Sequence, residues 1–250
     1  MANYGPADIQ LLLVGGYDLL VGAITGFKAR EEAISEQVNG LGAAWEAHRY
    51  VGVRRSEFEL DGFYDDATGG IHEALSTASL STTPAGGRVL CYGVEGTATG
   101  ADFIGYAGAL QIDYERMAVR DELEKVKATF RGSGVVSQGR IVRMLASATA
   151  SGASTGTPLD NGASNTSGGV GFLQVVDFSG WGAGGAVTVS LVHSADDITY
   201  SNLVTFASAT AEHRADRQVI TGAIQRYAAV NWTASGATGN IRFFVGLSRT

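Results

Sequence analysis

The chain is poor in the residues that would simplify a reading of it. It has one cysteine, Cys91, three prolines, three tryptophans and four histidines among 250 residues, and only 17% of it is charged. A single cysteine cannot form an intrachain disulfide, so the fold must rely on buried apolar surface and on partners, as in a chain folded in a reducing cytosol. Cys91 itself reads as a small buried hydrophobe. Few prolines beside 35 glycines favour many short strands with tight turns over helices. Long hydrophobic runs are also missing. The apolar stretch Ile9 to Val14 is far too short to span a bilayer and no Lys or Arg precedes it, so it reads as a buried strand ended by Gly15-Gly16, with no membrane partner. Positive charge is scarce as well. A net charge of −7 and a pI near 5.1 argue against a general attraction to phosphate backbones or anionic membranes.

Catalytic and metal chemistry find little support. His48, His72, His193 and His213 are scattered without the i, i+4 or cysteine-paired spacing of a metal site. Asp65-Asp66 and Asp196-Asp197 lack a loop of alternating oxygen ligands, so turn and cap roles are expected rather than calcium. Gly152-Ala-Ser-Thr-Gly matches the pattern of a hydrolase nucleophile elbow, but it lies in a Gly/Ser/Thr tract without the strand, turn and helix that the elbow needs. A glycan hydrolase would need two converging carboxylates, and no such pair stands out. Asn231-Trp-Thr fits a glycosylation acceptor only formally, since no secretory signal accompanies it. No enzyme, cofactor or metal is expected.

What is present points to strands. A hydrophobic fraction of 45% over this length suffices for two ordinary domains. Between Ala146 and Gly171 the sequence turns to small and polar residues, with the single Pro158, which is linker composition. The expected division is therefore 1–150, a linker 151–168, and 169–250. Residues 1–150 hold 13 Lys and Arg against 19 Asp and Glu, net −6, whereas 151–250 hold 5 against 6, so the acidity belongs to the first unit. Strands are expected near 9–14, 19–27, 41–50, 53–63, 87–94, 101–115, 122–132 and 135–145, with a helix near 66–79; the 122–132 and 135–145 pair reads as two strands around a glycine-rich turn. Lys28 to Val38 stays open between a helical turn and a charged strand connection. In the second unit, alternation in Ala186 to His193 and in Ile241 to Leu247, with turns at 180–185, 194–197 and 235–239, predicts an antiparallel β-sandwich.

The stretch 45–80, WEAHRYVGVRRSEFELDGFYDDATGGIHEALSTASL, carries the most information. An aromatic-anchored strand, a basic turn, an alternating strand Ser56 to Phe63, an acidic turn and a short helix follow one another. That order resembles the core of bacteriophage tail tube subunits, in which a Trp-bearing strand leads to a strand ending Gly-Phe-Tyr/Phe-Asp-Asp with a helix behind the sheet. The segments VSLVHSADDITYSNLVTF, RYAAVNWTASG and FFVGLSR resemble the β-sandwich appendage of some long-tailed phages, although similar hairpins occur in carbohydrate-binding modules. The resemblance implies a mainly β chain: a tail-tube fold, meaning an antiparallel sandwich or barrel with one flanking helix, followed by an antiparallel β-sandwich.

The function so implied is assembly. Six subunits would close their open sheet edges into a ring. Four strands from each would give a barrel about 50 Å across, leaving roughly 30 Å for duplex DNA after inward side chains. A wall that must not grip DNA should carry carboxylates, and Glu57, Glu59, Asp113, Glu115, Glu122 and Glu124 are the lumen candidates, with ordinary solvated faces as the plain alternative. Arg54 and Arg55 are candidates for ion pairs with a neighbouring subunit, and the Tyr50 to Arg55 connection and the arm Ala2 to Asp8 for contacts between rings. An outer module of this size is hard to fit under a contractile sheath, so a non-contractile virion tail assembled in the bacterial cytoplasm is implied, with tape-measure and tail-tip proteins as partners. Trp45 is expected in the core or a subunit interface, and Trp232 in the sandwich core. Trp181, flanked by glycines, is the candidate for an exposed binding residue. The competing reading is a virion surface binding protein, either a glycan-binding tail protein or a capsid decoration protein.

Overall fold

A computed structural model describes residues 9–20, 24–37, 48–76, 87–93, 96–132, 136–236 and 238–250, leaving aside the side chains of 34–37, 48–54 and 107. Asp8, the rest of the N-terminal arm, Trp45 and the far end of the expected helix lie outside the described residues.

The protein is mainly β. Its elements are β1 (Leu11–Val14), β2 (Tyr17–Asp18), β3 (Ile24–Gln37), β4 (His48–Phe63), α1 (Ile71–Ser76), β5 (Arg88–Gly93), β6 (Asp102–Met117), β7 (Lys125–Gly132), β8 (Val136–Ala148), β9 (Gly152–Ala153), β10 (Leu159–Asp160), β11 (Gly169–Ser179), β12 (Ala186–Ser194), β13 (Ser201–Thr205), β14 (Arg214–Ile220), β15 (Tyr227–Ser235) and β16 (Asn240–Arg249). The open segment from Lys28 resolves as strand, because its charged side chains alternate on β3 opposite those of β4. The turn expected between 50 and 53 is absent. One continuous β4 runs through it, and the extra residues are absorbed where the register steps from Ala33↔Arg54 to Ser35↔Tyr50.

β6 is the strand on which the sheets meet. On one side its first half pairs with β5; on the other, 102–106 pair with β8 and 109–117 with β7. β7 and β8 therefore follow one another along β6 and do not form the hairpin that the glycines suggested. Gly132 has a packing reason instead: a Cβ there would sit 1.9 Å from the Ser56 hydroxyl. From β7 the sheet continues to β4 and β3; from β8 it continues to β16, β11 and β14.

Three cores result. The first lies under β4 and β7, where Phe58, Leu60, Val126, Ala128 and Phe130 meet Leu12, Leu90, Tyr106 and Ile71 and Leu75 of α1. The second, including Leu11, Leu13, Cys91, Phe103, Phe172 and Phe244, sits where β1 and β5 face β11 and β16. The third fills a sandwich between β8, β11 and β16 and the smaller sheet of β10, β15, β12 and β13. β1 and β5 thus have both faces buried, which is why Leu-Leu-Leu-Val is unbroken by polar residues. Cys91 is fully buried, and burial pushes its thiol up to about 12.

The second core is pinned by a buried amide. Gln174 on β11 donates to the Val89 carbonyl at 3.0 Å and accepts from the Gly16 amide at 2.6 Å. Beside it Tyr17 stacks on His213 at 3.8 Å, and Arg242 meets Asp18 at 3.1 Å. Gly16 has φ +91, and a Cβ would lie 2.4 Å from the Arg214 amide, so the β1–β2 turn needs glycine to approach this closely.

Residues 151–168 do not hang free between two bodies. β9 and β10 pair with β15, the Ser154 and Ser151 hydroxyls accept the Val230 and Ala234 amides, and Asp160 holds Arg226 through contacts of 2.8 and 2.7 Å. Small hydroxylated residues that look like linker in a sequence here serve as backbone partners along a strand.

Candidate functional site

Alternation on β4 and β7 separates an apolar face from a charged one. Ser56, Phe58 and Leu60 point to the core, so Arg55, Glu57, Glu59 and Asp61 share the outward face. Cross-strand pairing places Lys28, Arg30 and Glu32 of β3 on that face, opposite Glu59, Glu57 and Arg55. On the other flank β7 adds Lys125, Lys127 and Arg131, and beyond it β6 adds Asp113, Glu115 and Met117.

Reading across the four strands, the columns run mostly basic on β3, acidic on β4, basic on β7 and acidic on β6. Glu59 sits between Lys28 at 3.2 Å and Lys127 at 3.6 Å, and Glu57 meets Arg131 at 3.5 Å. The hydrogen bond from Lys28 is the main reason that the Glu59 carboxyl is held below its usual range. On this face six cationic side chains stand against six anionic ones, so the face is striped and close to neutral. Four lumen candidates, Glu57, Glu59, Asp113 and Glu115, come together on it. Glu122 and Glu124 do not: they lie in the β6–β7 connection, where Glu122 pairs with Lys125 and Glu124 with Arg116. Sequence reasoning picked out the acids and overlooked the interleaved bases, although the alternation Lys125-x-Lys127-x-Thr129-x-Arg131 is plain in β7.

This four-stranded sheet has unpaired edges. Among the described residues nothing pairs with the outer edge of β3, and β5 stops pairing with β6 at Ala109, leaving 110–117 open on that side. Exposed apolar side chains gather there and at the adjoining tip: Leu110, Ile112, Met117, Val119 and Leu123, the last 70% exposed. No sequence motif flagged them, because they share no strict alternation with the residues around them.

The remaining candidates are placed as follows. Arg55 is exposed on the striped face; the Arg54 side chain and Asp8 are outside the described set. Trp181, expected to be exposed, is half-buried. Its indole N–H donates to the Asn240 carbonyl at 3.0 Å, its ring stacks on Phe178, and Gly185 and Gly239 leave room for it. Trp232 packs on the third core and donates to Ala150, and Arg143 lies over both Trp232 and Phe243. Burial lowers the Arg143 pKa to about 10, and the main-chain carbonyls of Phe243 and Ala146 accept hydrogen bonds from its guanidinium.

The serine of the 152–156 match accepts a backbone amide, and no helix follows it. Asp65 and Asp196 bond to amides in their own turns, and Asp196 is held near a pKa of about 2 by the Thr199 and Ile198 amides. Among the described residues no three His, Cys, Asp or Glu side chains gather as metal ligands, and no helix is long and apolar enough to cross a membrane.

No protein-family model and no curated protein matches the chain. Distant likenesses exist among solved structures. A tail of an empty gene transfer agent particle, refined with C6 symmetry, is 12% identical with a TM-score of 0.41 over 54% of this chain and 98% of that one. A chain of the native gene transfer agent virion is 14% identical with a TM-score of 0.38, over 55% and 98%. The Dit protein of phage SPP1, described as a hub adsorption apparatus of phages infecting Gram-positive hosts, is 11% identical with a TM-score of 0.38, over 95% and 98%. Similarity at this level decides nothing about what the chain does.

Proposed function

We propose that this chain is a structural subunit of a long, non-contractile phage-type tail tube, in which copies close into hexameric rings that stack around a DNA-conducting lumen. The observation that carries the reading is the four-stranded sheet β3-β4-β7-β6: one face sealed on a core by a short helix, the other mostly charged, and, among the described residues, edges unpaired along β3 and along 110–117 of β6. An isolated monomer with two open edges invites pairing with other copies, and a closed ring removes both edges at once. The sequence resemblance of residues 45–80 to tail tube subunits points the same way.

In this reading residues 1–150 form the ring and 169–250 an appended sandwich, joined through the sheet that β8 and β16 share. The wall is striped rather than uniformly acidic, so the cations of β3 and β7 are flanked by carboxylate columns and form no broad basic patch to hold DNA. The exposed apolar tip between β6 and β7 lies at one end of the wall and supplies the contact between stacked rings. Tape-measure and tail-tip proteins are the expected partners.

Negative-stain electron microscopy of the purified chain across a concentration series, alone and with a tail-tip extract, tests this. Hollow tubes or stacked six-fold rings are expected. Monomers or discrete trimers under every condition would overturn it and favour a virion surface binding protein.

A further inference from the structure

We infer that adjoining copies are joined by an ionic seam, in which the open β3 edge of one copy lies antiparallel to residues 110–117 of β6 in the next, with Lys28 and Arg30 set against Asp113 and Glu115. The inference rests on the tube reading and adds which edges meet and what holds them.

Strand direction is the first argument. β3, β4, β7 and β6 are antiparallel in turn, so β3 and β6 run in opposite directions. In a ring of copies related by rotation, β3 of the next copy keeps its own direction and therefore arrives antiparallel to β6. An even number of strands lets the ladder continue without a parallel joint.

Charge is the second. Within a copy the columns alternate in sign, and β4 and β7 each have an oppositely charged neighbour on both sides. The outermost columns have one neighbouring column only: Lys28 and Arg30 on β3 at one edge, where Arg30 also meets Glu32 of its own strand at 3.4 Å, and Asp113 and Glu115 on β6 at the other. Among the described residues neither Asp113 nor Glu115 makes an ion pair, although Lys127 is directly across from Glu115. Docking the two edges supplies the missing neighbour to both columns and continues the stripes. The opposite choices, β3 to β3 or β6 to β6, would set like charges together. Packing is the third argument: Leu110, Ile112 and Met117, exposed by 37, 36 and 51%, lie on the same open segment and would be covered by the arriving strand.

The test is site-directed cross-linking in the full chain. Arg30→Cys with Glu115→Cys places one thiol at each edge, and the native Cys91 is buried with its thiol pushed up to about 12, so it stays silent. A short bis-maleimide spans directly opposed as well as diagonal positions. The expected result is a ladder of covalent multimers that stops at the ring size, while Arg30→Cys paired with Glu212→Cys gives none. Rings that form normally yet give no ladder would overturn the seam and leave the tube reading standing; no rings from the wild-type chain would remove both.

Charge reversal gives an independent readout. Arg30→Glu and Glu115→Arg should each raise the concentration needed for assembly roughly 10-fold, and an equal mixture of the two should restore it. Circular dichroism and melting curves matching the wild type separate lost assembly from lost folding. A mixture that assembles no better than either variant alone would overturn the seam.

Discussion

β7 and β11 are both strands of one large sheet, and they could hardly be built more differently. β7, Lys-Val-Lys-Ala-Thr-Phe-Arg-Gly, alternates exposed and buried side chains, whereas the first seven residues of β11, Gly-Val-Gly-Phe-Leu-Gln-Val, are all buried. A strand with one core behind it can spend every second position on charge. A strand between two cores cannot, and the only polar side chain of that buried stretch, Gln174, is hydrogen-bonded at both its oxygen and its nitrogen. The difference separates a surface built to meet something from an interior built to hold the molecule together.

Breaking the interior should have the largest effect. Phe172→Ala on β11 removes a ring packed edge-on against Phe103 at 5.6 Å and should cost about 3–5 kcal/mol in urea denaturation. Next comes the buried amide: Gln174→Leu takes the acceptor from the Gly16 amide, while the Val89 carbonyl keeps the Gly15 amide at 2.9 Å, and should cost about 1–3 kcal/mol, with faster hydrogen exchange at Gly16. A similar loss from Thr129→Ala on the β7 outer face would break the comparison.

Acid sharpens it further. The Arg226 guanidinium, with help from the Gly162 amide, holds the Asp160 carboxyl down at about 2, below its usual 3.8. Because the folded pKa is depressed, this pairing stabilises the fold above about pH 4 and is lost as pH falls through about 2. The stability difference between wild type and Asp160→Asn should therefore shrink between those values, as followed by denaturation at stepped pH. The smallest effect is expected on the charged face: Glu59→Gln, despite losing contacts to Lys28 and Lys127, should change stability by less than about 1 kcal/mol.

How far the sequence was legible follows the same division. Strands with one solvated face announce themselves, as Phe58-Glu-Leu-Asp and Lys125 to Arg131 do, and the mainly β character, most strand positions and the helix after Gly70 could be read from them. Connections were harder. Gly132 looked like a turn because glycine most often is one, but here it makes room for Ser56; the tract 151–168 looked like linker because hydroxyls that accept amides from β15 have the composition of a loop. Trp181 looked exposed because the glycines around it suggested freedom, when they form its cradle. The neutrality of the striped face was hidden for another reason. Net charge is a sum over the chain, whereas a face is chosen by register, and register set bases from β3 and β7 on either side of the acids of β4.

Stripes of alternating sign have a further electrical property. Neighbouring strands are about 4.8 Å apart, so the pattern repeats every ~10 Å and its potential fades over a distance of only ~1.5 Å from the charges. In the proposed tube, a polyanion moving a few ångströms from the wall would meet a surface that is densely charged at contact and nearly invisible at a distance. Such a lining acts as a bearing: it keeps its water and neither brakes nor expels the cargo.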